Sequence, residues 1–191
     1  FSGDASGYIE DNDSDKDKEA VSKASEQDAF IFWNHPGWKV HQVEGSYEWI
    51  DFVDELYNED MVDGIEVING FSFYKKALDW CVDKDLTVMG TSDIHNLVEH
   101  DYDLDKDIVH RSMTLVFAED KTSASVREAL EEGRTVAWAS KYLAGKEEHV
   151  RNLFHACVEM DPSHHSRNRG DGNVTNYYEI KNKSDLYFEM E

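Results

Sequence analysis

The sequence predicts an α/β fold, in which strands and helices alternate along most of the chain. Short apolar runs such as GIEVING (64–70) and LTVMGTSD (86–93) are typical of strands buried on both faces. Between such runs, segments such as FYKKALDWCVDKD (73–85) repeat their apolar residues at helical spacing. Strand, helix and strand in succession indicate a parallel sheet covered by helices. The pattern alone leaves open whether this sheet closes into a barrel.

The predicted elements follow one another in a regular order. An acidic, glycine- and serine-rich opening is predicted to be a loop, and a short helix follows at residues 18–27. Buried strands are predicted at AFIFWNH (29–35), GIEVING (64–70), LTVMGTSD (86–93), MTLVFA (113–118) and RTVAW (134–138). Helices are predicted at residues 47–61, 73–85, 123–133 and 145–160, and a polar loop at residues 95–111.

The last part of the chain has a different pattern. Past Pro162 the sequence is rich in turn residues, and the segment from residue 174 to 191 reads as two strands joined at NKSD (182–185). We therefore expect a C-terminal β-hairpin, which could begin a second, all-β module. The expected organisation is an acidic loop and helix at 1–27, the main α/β part at 28–160, and a linker with the hairpin at 161–191.

Composition limits the classes of function. The 191 residues are 40% hydrophobic and 12% aromatic, enough for one domain with an apolar core. A formal net charge of −22 argues against stable binding of nucleic acid or anionic lipid, which would be repelled. No run of about 20 apolar residues is present, so no membrane-spanning segment is expected. Cys81 and Cys157 lie in apolar helical patterns and are predicted to be buried thiols.

Polar side chains gather where the predicted strands end. His35 closes the first strand, Glu66 and Asn69 lie near the end of the second, and Asp93 and His95 close the third. Parallel strands share one carboxyl edge, where ligands usually bind, so these groups are expected to meet. A set of His, Asp and His suits zinc, manganese or iron. Asp93 and His95 could equally be a helix cap followed by a surface histidine, and His35 a buried histidine bound to a carbonyl.

Other residues are candidates for supporting roles. Glu66 either pairs with a basic side chain or orients a ligating histidine. Asn34 is a candidate for substrate binding and Asn69 for support of the ligands, although both could merely fix loop backbone. Arg111, together with His110, could bind a phosphate at the same edge, although a surface ion pair is a comparable reading.

Several motifs, in order and at suitable spacing, give the chain a family resemblance. Residues from about 28 to 160 resemble the later part of a PHP-type metallophosphoesterase, of the polymerase and histidinol phosphatase superfamily. The segments that carry the resemblance are FIFWNHPGW (30–38), DGIEVING (63–70), ALDWCVDKDLTVMGTSDIH (77–95) and HRSMTLVFAEDKTSASVREALEEGRTVAW (110–138). The tail from residue 176 resembles the β segment that follows this domain in one bacterial branch.

The resemblance implies a distorted (β/α)7 barrel, here partial and with its helices outside, which hydrolyses phosphate esters at a trinuclear metal centre. By motif, His35, Asp93 and His95 match three family ligands that generally serve different ions. Asp93 would also orient or deprotonate the attacking water, and a small phosphorylated molecule would be the substrate. The resemblance leaves open whether the substrate is a phosphate monoester or a phosphate diester.

The family's early His-x-His, Thr-Asp-His, bridging Glu and a further His are not found in this chain. One protein ligand per ion is too few, since zinc sites usually have about three or four. The expectation is therefore an incomplete site in a chain that lacks its N-terminal half, with a tendency to self-associate through uncovered apolar surface. The alternative is a degenerate PHP-like module with a structural or binding role and no catalysis.

Overall fold

The computed structural model describes residues 14–38, 47–102, 110–140, 142–162, 165–168, 170 and 172–188. The predicted opening loop up to residue 13 and residues 103–109 of the predicted polar loop lie outside this part. The chain divides into two compact units, Phe1–Lys146 and Glu147–Glu191. Alternating helices and strands make up the first unit, so the α/β class is confirmed. The domain limits after residues 27 and 160 stay predictions.

The first unit contains short helices and strands in nearly strict alternation. Its helices are α1 (Ser14–Ser25), α2 (Asp51–Asn58), α3 (Lys75–Asp83), α4 (Val98–Asp101) and α5 (Ser123–Glu131). Its strands are β1 (Phe32–Trp33), β2 (Gly64–Asn69), β3 (Ser72–Phe73), β4 (Thr87–Thr91), β5 (Met113–Val116), β6 (Thr135–Ala139) and β7 (Tyr142–Gly145).

Strand β2 is the centre of the first sheet. It pairs in parallel with β1 on one side and with β4 on the other, and β3 pairs antiparallel with its end. Ile65 and Val67 are fully buried, and Ile68 is nearly so, because helices cover the sheet as its continuous apolar sequence predicts. The parallel arrangement predicted for these strands is confirmed.

Four helices of the first unit, α1, α2, α3 and α5, end in the same way. A residue with positive φ follows each of them: Asp28, Asp60, Asp85 and Gly133. The next residue donates its N–H to the carbonyl five positions back, as Met61 does to Leu56 at 2.9 Å. This is the Schellman ending, which turns the chain sharply out of the helix and into the next strand. Aspartate tolerates the left-handed region better than most side chains, so it can replace the usual glycine.

The second sheet departs from the prediction of an all-parallel arrangement. Strand β6 pairs antiparallel with both β5 and β7. Val116 lies opposite Thr135, and Phe117 N–H donates to Arg134 O at 3.0 Å. The connection through α5 therefore starts and finishes at the same end of the sheet, so the strand direction reverses. The (β/α)7 barrel stays a prediction, because β4 forms no backbone ladder with β5 or β6 in the part of the chain that is described.

Threonine hydroxyls join β4 to the second sheet in place of a ladder. Thr114 Oγ1 accepts the N–H of Gly90 and donates to its carbonyl, both at 2.9 Å. Thr135 Oγ1 donates to Val88 O at 2.7 Å. The strands approach so closely that a Cβ on Gly90 would lie 2.8 Å from Met113 O. These side-chain bonds satisfy buried backbone groups that a ladder would otherwise satisfy.

Asp63 lies at the other end of the strands, just before β2. Its Oδ2 accepts the N–H of Ile31 at 2.5 Å. Burial raises the pKa of the Asp63 carboxyl above its usual value; Glu131 also raises it, whereas the hydrogen bond from Ile31 and the charge of Arg127 lower it. The charged form is therefore less favourable in the folded chain than in the unfolded one.

The second unit is a helix followed by four short strands that form two antiparallel pairs. It comprises α6 (Glu147–Cys157), β8 (Val158–Met160), β9 (His165–Asn168), β10 (Val174–Tyr177) and β11 (Ile180–Asn182). Strand β11 pairs with β8 and β10 with β9, both antiparallel. The predicted hairpin between two strands joined at NKSD is wrong, because β10 and β11 pair with the earlier strands β9 and β8 and not with a strand after NKSD. The local Asn182–Ser184 hydrogen bonds make NKSD a turn, and no strand follows it within residues 186–188.

Within the described residues, no helix is long and apolar enough to cross a membrane.

Removing the Thr135 hydroxyl should weaken the joint between the sheets. Thr135→Val keeps the shape of this fully buried side chain but takes away the donor to Val88. We expect the free energy of unfolding in urea to fall by about 1–3 kcal/mol, the usual effect of leaving a buried acceptor unpaired. Thr135→Ser keeps the hydroxyl and should recover most of this loss. Equal unfolding midpoints for Thr135→Val and wild type would show that the bond is unimportant.

Replacing Asp63 by asparagine should stabilise the chain at neutral pH. The amide oxygen can still accept from Ile31, but no charge is buried. Because the pKa of Asp63 is raised in the folded state, wild-type stability falls as pH rises from the usual value of about 3.9 through the folded value. The advantage of Asp63→Asn should therefore be present at pH 7 and disappear near pH 3.5. Exposed Asp83→Asn is the matched control, and an equal effect of both variants would contradict the assignment.

Candidate functional site

The carboxyl ends of the parallel strands and the start of β5 form one rim. Parallel pairing brings the ends of β1, β2 and β4 side by side. Ser112, just before β5, donates its hydroxyl to Gly70 O, just after β2. His110 Nε2 lies 3.3 Å from Ser140 O, which follows β6. The rim is the edge at which ligands bind in sheets of this kind.

Left-handed residues follow the strands at this rim. Positive φ angles occur at His35 (51°), Gly70 (53°), Asp93 (50°) and Ser140 (51°), each one or two residues beyond a strand. The conformation is costly for residues with a Cβ and is often kept where function requires a particular side-chain direction. At His35 and Asp93 it turns the chain at the strand tip, so that both side chains face the same space.

The Glu66 carboxylate, fully buried, is the centre of the hydrogen-bond network at the rim. Its Oε2 accepts the backbone N–H of His35 at 2.7 Å and lies 2.6 Å from His35 Nδ1. Its Oε1 accepts from Asn69 Nδ2 at 3.2 Å and from the Thr91 hydroxyl. Residues from β2, from the end of β4 and from the loop after β1 thus share one carboxylate. These bonds offset the cost of burying its charge.

The contacts of His35 determine where its proton lies. Nδ1 is 2.6 Å from Glu66 Oε2 and 2.8 Å from Asn69 Nδ2. An unprotonated Nδ1 would direct its lone pair at a buried carboxylate oxygen, which is strongly unfavourable. The shorter contact, to a charged acceptor, favours a proton on Nδ1 that is donated to Glu66. The Asn69 amide then donates to the other carboxylate oxygen, and its 2.8 Å approach to Nδ1 is a contact between two donors and not a hydrogen bond. In the neutral ring this leaves Nε2 with a lone pair.

His35 and Asp93 are brought together, as the strand ends predict. Nε2 of His35 lies 3.8 Å from Asp93 Oδ1. The Asp93 side chain is 41% exposed, so solvent reaches the pair. His95 is 78% exposed, and its Nδ1 lies 2.7 Å from the backbone carbonyl of Asp93 and 3.9 Å from Oδ1. Bonding of Nδ1 to the carbonyl leaves Nε2 of His95 in solvent.

The donors at this rim fit a divalent metal ion in type but not in number. An imidazole nitrogen backed by a carboxylate is a common metal ligand, and a neighbouring carboxylate oxygen is a suitable second donor. Across the described ranges, however, no group of three or more His, Cys, Asp or Glu residues could hold an ion. The described residues therefore have too few donors to hold an ion by themselves.

Asn34 presents an unexpected feature. Its Oδ1 is buried and has no hydrogen-bond partner among the described residues. An amide oxygen is an acceptor, so it would pair with a hydroxyl or a water and not with an unprotonated phosphate oxygen. Substrate binding by Asn34 remains a prediction.

His110 and Arg111 differ in their surroundings. Nδ1 of His110 lies 2.7 Å from Arg111 O and Nε2 3.3 Å from Ser140 O, with the ring centre 3.9 Å from that of Trp138. Both ring nitrogens thus face backbone carbonyls. Arg111 is exposed. A phosphate-binding role for this pair also remains a prediction, with Arg111 the more accessible member.

Sequence reasoning missed two residues next to the site. Thr91 bonds to Glu66, and it lies opposite Asn69 in the β2–β4 register. Only knowledge of that register could have identified it. Tyr74 packs beneath the site; burial, together with the charges of Glu66 and Asp93, raises its pKa to about 12, so the phenol stays protonated.

Comparison with known proteins adds one informative likeness. No protein-family model and no curated protein matches the chain. A similar solved structure is a two-domain protein containing a predicted PHP-like metal-dependent phosphoesterase, from Bacteroides vulgatus ATCC 8482. The two share 41% sequence identity over 88% of this chain, with a TM-score of 0.78. The chain belongs to the PHP superfamily. The family resemblance read from the motifs is thus confirmed.

The likeness has a defined extent. This PHP chain spans 47% of the length of the Bacteroides protein. The similarity therefore does not by itself assign the activity, substrate or partners of the whole Bacteroides protein to this chain.

Loss of the Glu66 charge should destabilise the first unit. Glu66→Gln keeps the size of the side chain but places an amide N–H₂ among the donors of His35, Asn69 and Thr91. We expect the free energy of unfolding to fall by about 2–4 kcal/mol, since buried hydrogen bonds to a charged group are replaced by mismatched ones. Urea unfolding at pH 7 measures this change. Exposed Glu99→Gln should have little effect, and an equally small effect at position 66 would rule out the central role of Glu66.

Proposed function

We propose that this PHP chain contributes to a metal-dependent phosphoesterase and supplies part of the catalytic centre. The observation that carries the proposal is the 3.8 Å approach of His35 Nε2 to Asp93 Oδ1 at the carboxyl-end rim. The similarity to a protein containing a predicted PHP-like metal-dependent phosphoesterase supports the same reaction class.

The proposed donors are His35 through Nε2, Asp93 through its carboxylate and His95 through Nε2. Divalent ions such as zinc, manganese or iron would activate a water molecule and neutralise charge on the phosphate ester when bound. Further donors are required, since the described residues supply too few. They would come from residues beyond those that the structure describes.

The remaining residues have roles in orientation and proton transfer. Glu66 keeps the His35 proton on Nδ1 and so fixes the direction of Nε2. Asp93, exposed enough to contact solvent, would accept a proton from the attacking water. Arg111 would bind phosphate oxygens through its guanidinium, and Asn34 Oδ1 would accept a hydrogen bond from a substrate hydroxyl or a water.

A degenerate module without catalysis is the rival function. The shortage of donors among the described residues is consistent with this rival as well as with an incomplete catalytic centre. The two functions differ in whether metal and phosphate bind at the rim at all.

The test is metal binding and phosphatase activity of the chain with Mn²⁺ or Zn²⁺. p-Nitrophenyl phosphate and bis(p-nitrophenyl) phosphate serve as mono- and diester probes. We expect weak metal binding and slow hydrolysis, reduced at least tenfold by Asp93→Asn, because loss of a ligand commonly costs that much or more. Asp83→Asn, an exposed change on α3, should leave both properties unchanged.

Two outcomes would overturn the proposal. Absence of metal binding by this chain and by any longer form that contains it would favour the non-catalytic module. Activity that is insensitive to both Asp93→Asn and His35→Gln would place the reaction elsewhere.

A further inference from the structure

Thr91 is a residue at the rim to which the proposed function gives no role. It ends β4, two residues before Asp93, and its side chain is only partly exposed. Its hydroxyl donates to Glu66 Oε1, whereas the bonds to His35 are made by Oε2. Thr91 and His35 thus contact different oxygens of the same carboxylate.

We propose that Thr91 is a positioning residue for His35. Its hydroxyl fixes the orientation of the Glu66 carboxylate, and Glu66 in turn holds the proton of His35 on Nδ1 and leaves Nε2 facing Asp93. The significance of this arrangement for catalysis rests on the proposed function; the arrangement itself does not.

The geometry explains why a second anchor is needed on Glu66. A carboxylate held through one oxygen can rotate about its last torsion, which is broad for glutamate. Oε2 must receive both the backbone N–H and the Nδ1–H of His35, at 2.7 and 2.6 Å. The other anchor on Oε1 is the longer bond from Asn69, at 3.2 Å. The Thr91 hydroxyl adds a donor on the neighbouring strand and so fixes the plane of the carboxylate.

These hydrogen bonds also link three neighbouring strands in order, from β4 through β2 to the end of β1. Thr91 pairs with Asn69 in the β4–β2 register, so the two donors to Oε1 come from adjacent strands. Glu66 lies on the central strand β2, and His35 follows β1 on its far side. Asp93, just beyond Thr91, faces the Nε2 that this chain of bonds directs. Strand β4 therefore positions His35 through Thr91 and supplies its neighbour through Asp93.

The experiment measures the His35 tautomer in the metal-free chain. ¹⁵N NMR of histidine-labelled protein at about pH 8.5, well above the ordinary imidazole pKa near 6.5, distinguishes Nδ1–H from Nε2–H. His35→Gln identifies the His35 signals among the nine histidines. We expect wild type to carry the proton on Nδ1. Thr91→Val, which keeps the shape and removes the hydroxyl, should raise the ratio of Nε2–H to Nδ1–H roughly tenfold or more, since hydrogen bonds to charged groups shift equilibria by that much.

Two further variants separate positioning from general damage. Thr91→Ser restores the hydroxyl and should restore the wild-type tautomer. Thr114→Val removes a threonine hydroxyl that bonds to Gly90 and not to Glu66, so it should leave His35 unchanged. Thr91→Ala replaces Thr91→Val if the latter does not fold, as judged by its amide spectrum.

The outcomes are decisive for this proposal alone. A wild-type His35 protonated on Nε2, or on both nitrogens, would overturn it without any variant. An unchanged ratio in Thr91→Val or Thr91→Ala would overturn it too. The NMR experiment uses no metal and no substrate. Failure of the phosphatase assay would therefore not affect the positioning role of Thr91, and an unchanged tautomer would not affect the proposed phosphoesterase function.

Discussion

The structure of the rim depends on a single buried carboxylate. Glu66 is fully buried, and a charge in that position is tolerated only when donors surround it. Those donors come from β2, from β4 and from the loop after β1, so satisfying the charge also fixes the strand ends relative to one another. The same hydrogen bonds to Glu66 therefore stabilise the fold and set the geometry of the site. An apolar residue at position 66 would remove the cost of burial but also the group that orients His35.

The backbone at the strand tips carries the rest of the geometry. Left-handed residues at His35 and Asp93 cost free energy locally, and they persist because the surrounding bonds fix the chain there. At His35 the backbone N–H and the ring both bond to Glu66, so one carboxylate holds the strained turn and the side chain together. The helix ends use the same conformation differently, since Asp60 and Asp85 occupy it where a helix ends and the chain turns toward the next strand.

Local sequence patterns predict most of the fold and part of the site. Apolar runs indicate β2 and β4, and helical spacing indicates α2, α3 and α5, because these signals depend on neighbouring residues. The meeting of His35 and Asp93 follows from the rule that parallel strands share a carboxyl edge.

The remaining features depend on contacts between distant residues. Strand register, which a single sequence does not reveal, determines three of them. These are the antiparallel pairing of β5, the hydrogen bonds of a threonine to Gly90 and the contact of Thr91 with Glu66. The NKSD residues favour a turn and so predict a hairpin there, but the two strands before them pair with the earlier strands β9 and β8 instead.

The net charge adds an electrostatic argument about the rim. A chain with a formal charge of −22 repels phosphate esters, and the rim itself adds Asp93 and Glu66. His35 cannot offset this negative charge as an imidazolium cation while its Nε2 is unprotonated and serves as a metal ligand. Arg111 is exposed, where solvent and salt screen its attraction for a phosphate. Binding of a phosphorylated substrate here would therefore require bound cations. The same acidity, which argues against nucleic acids and anionic lipids as partners, would also attract divalent ions to the site.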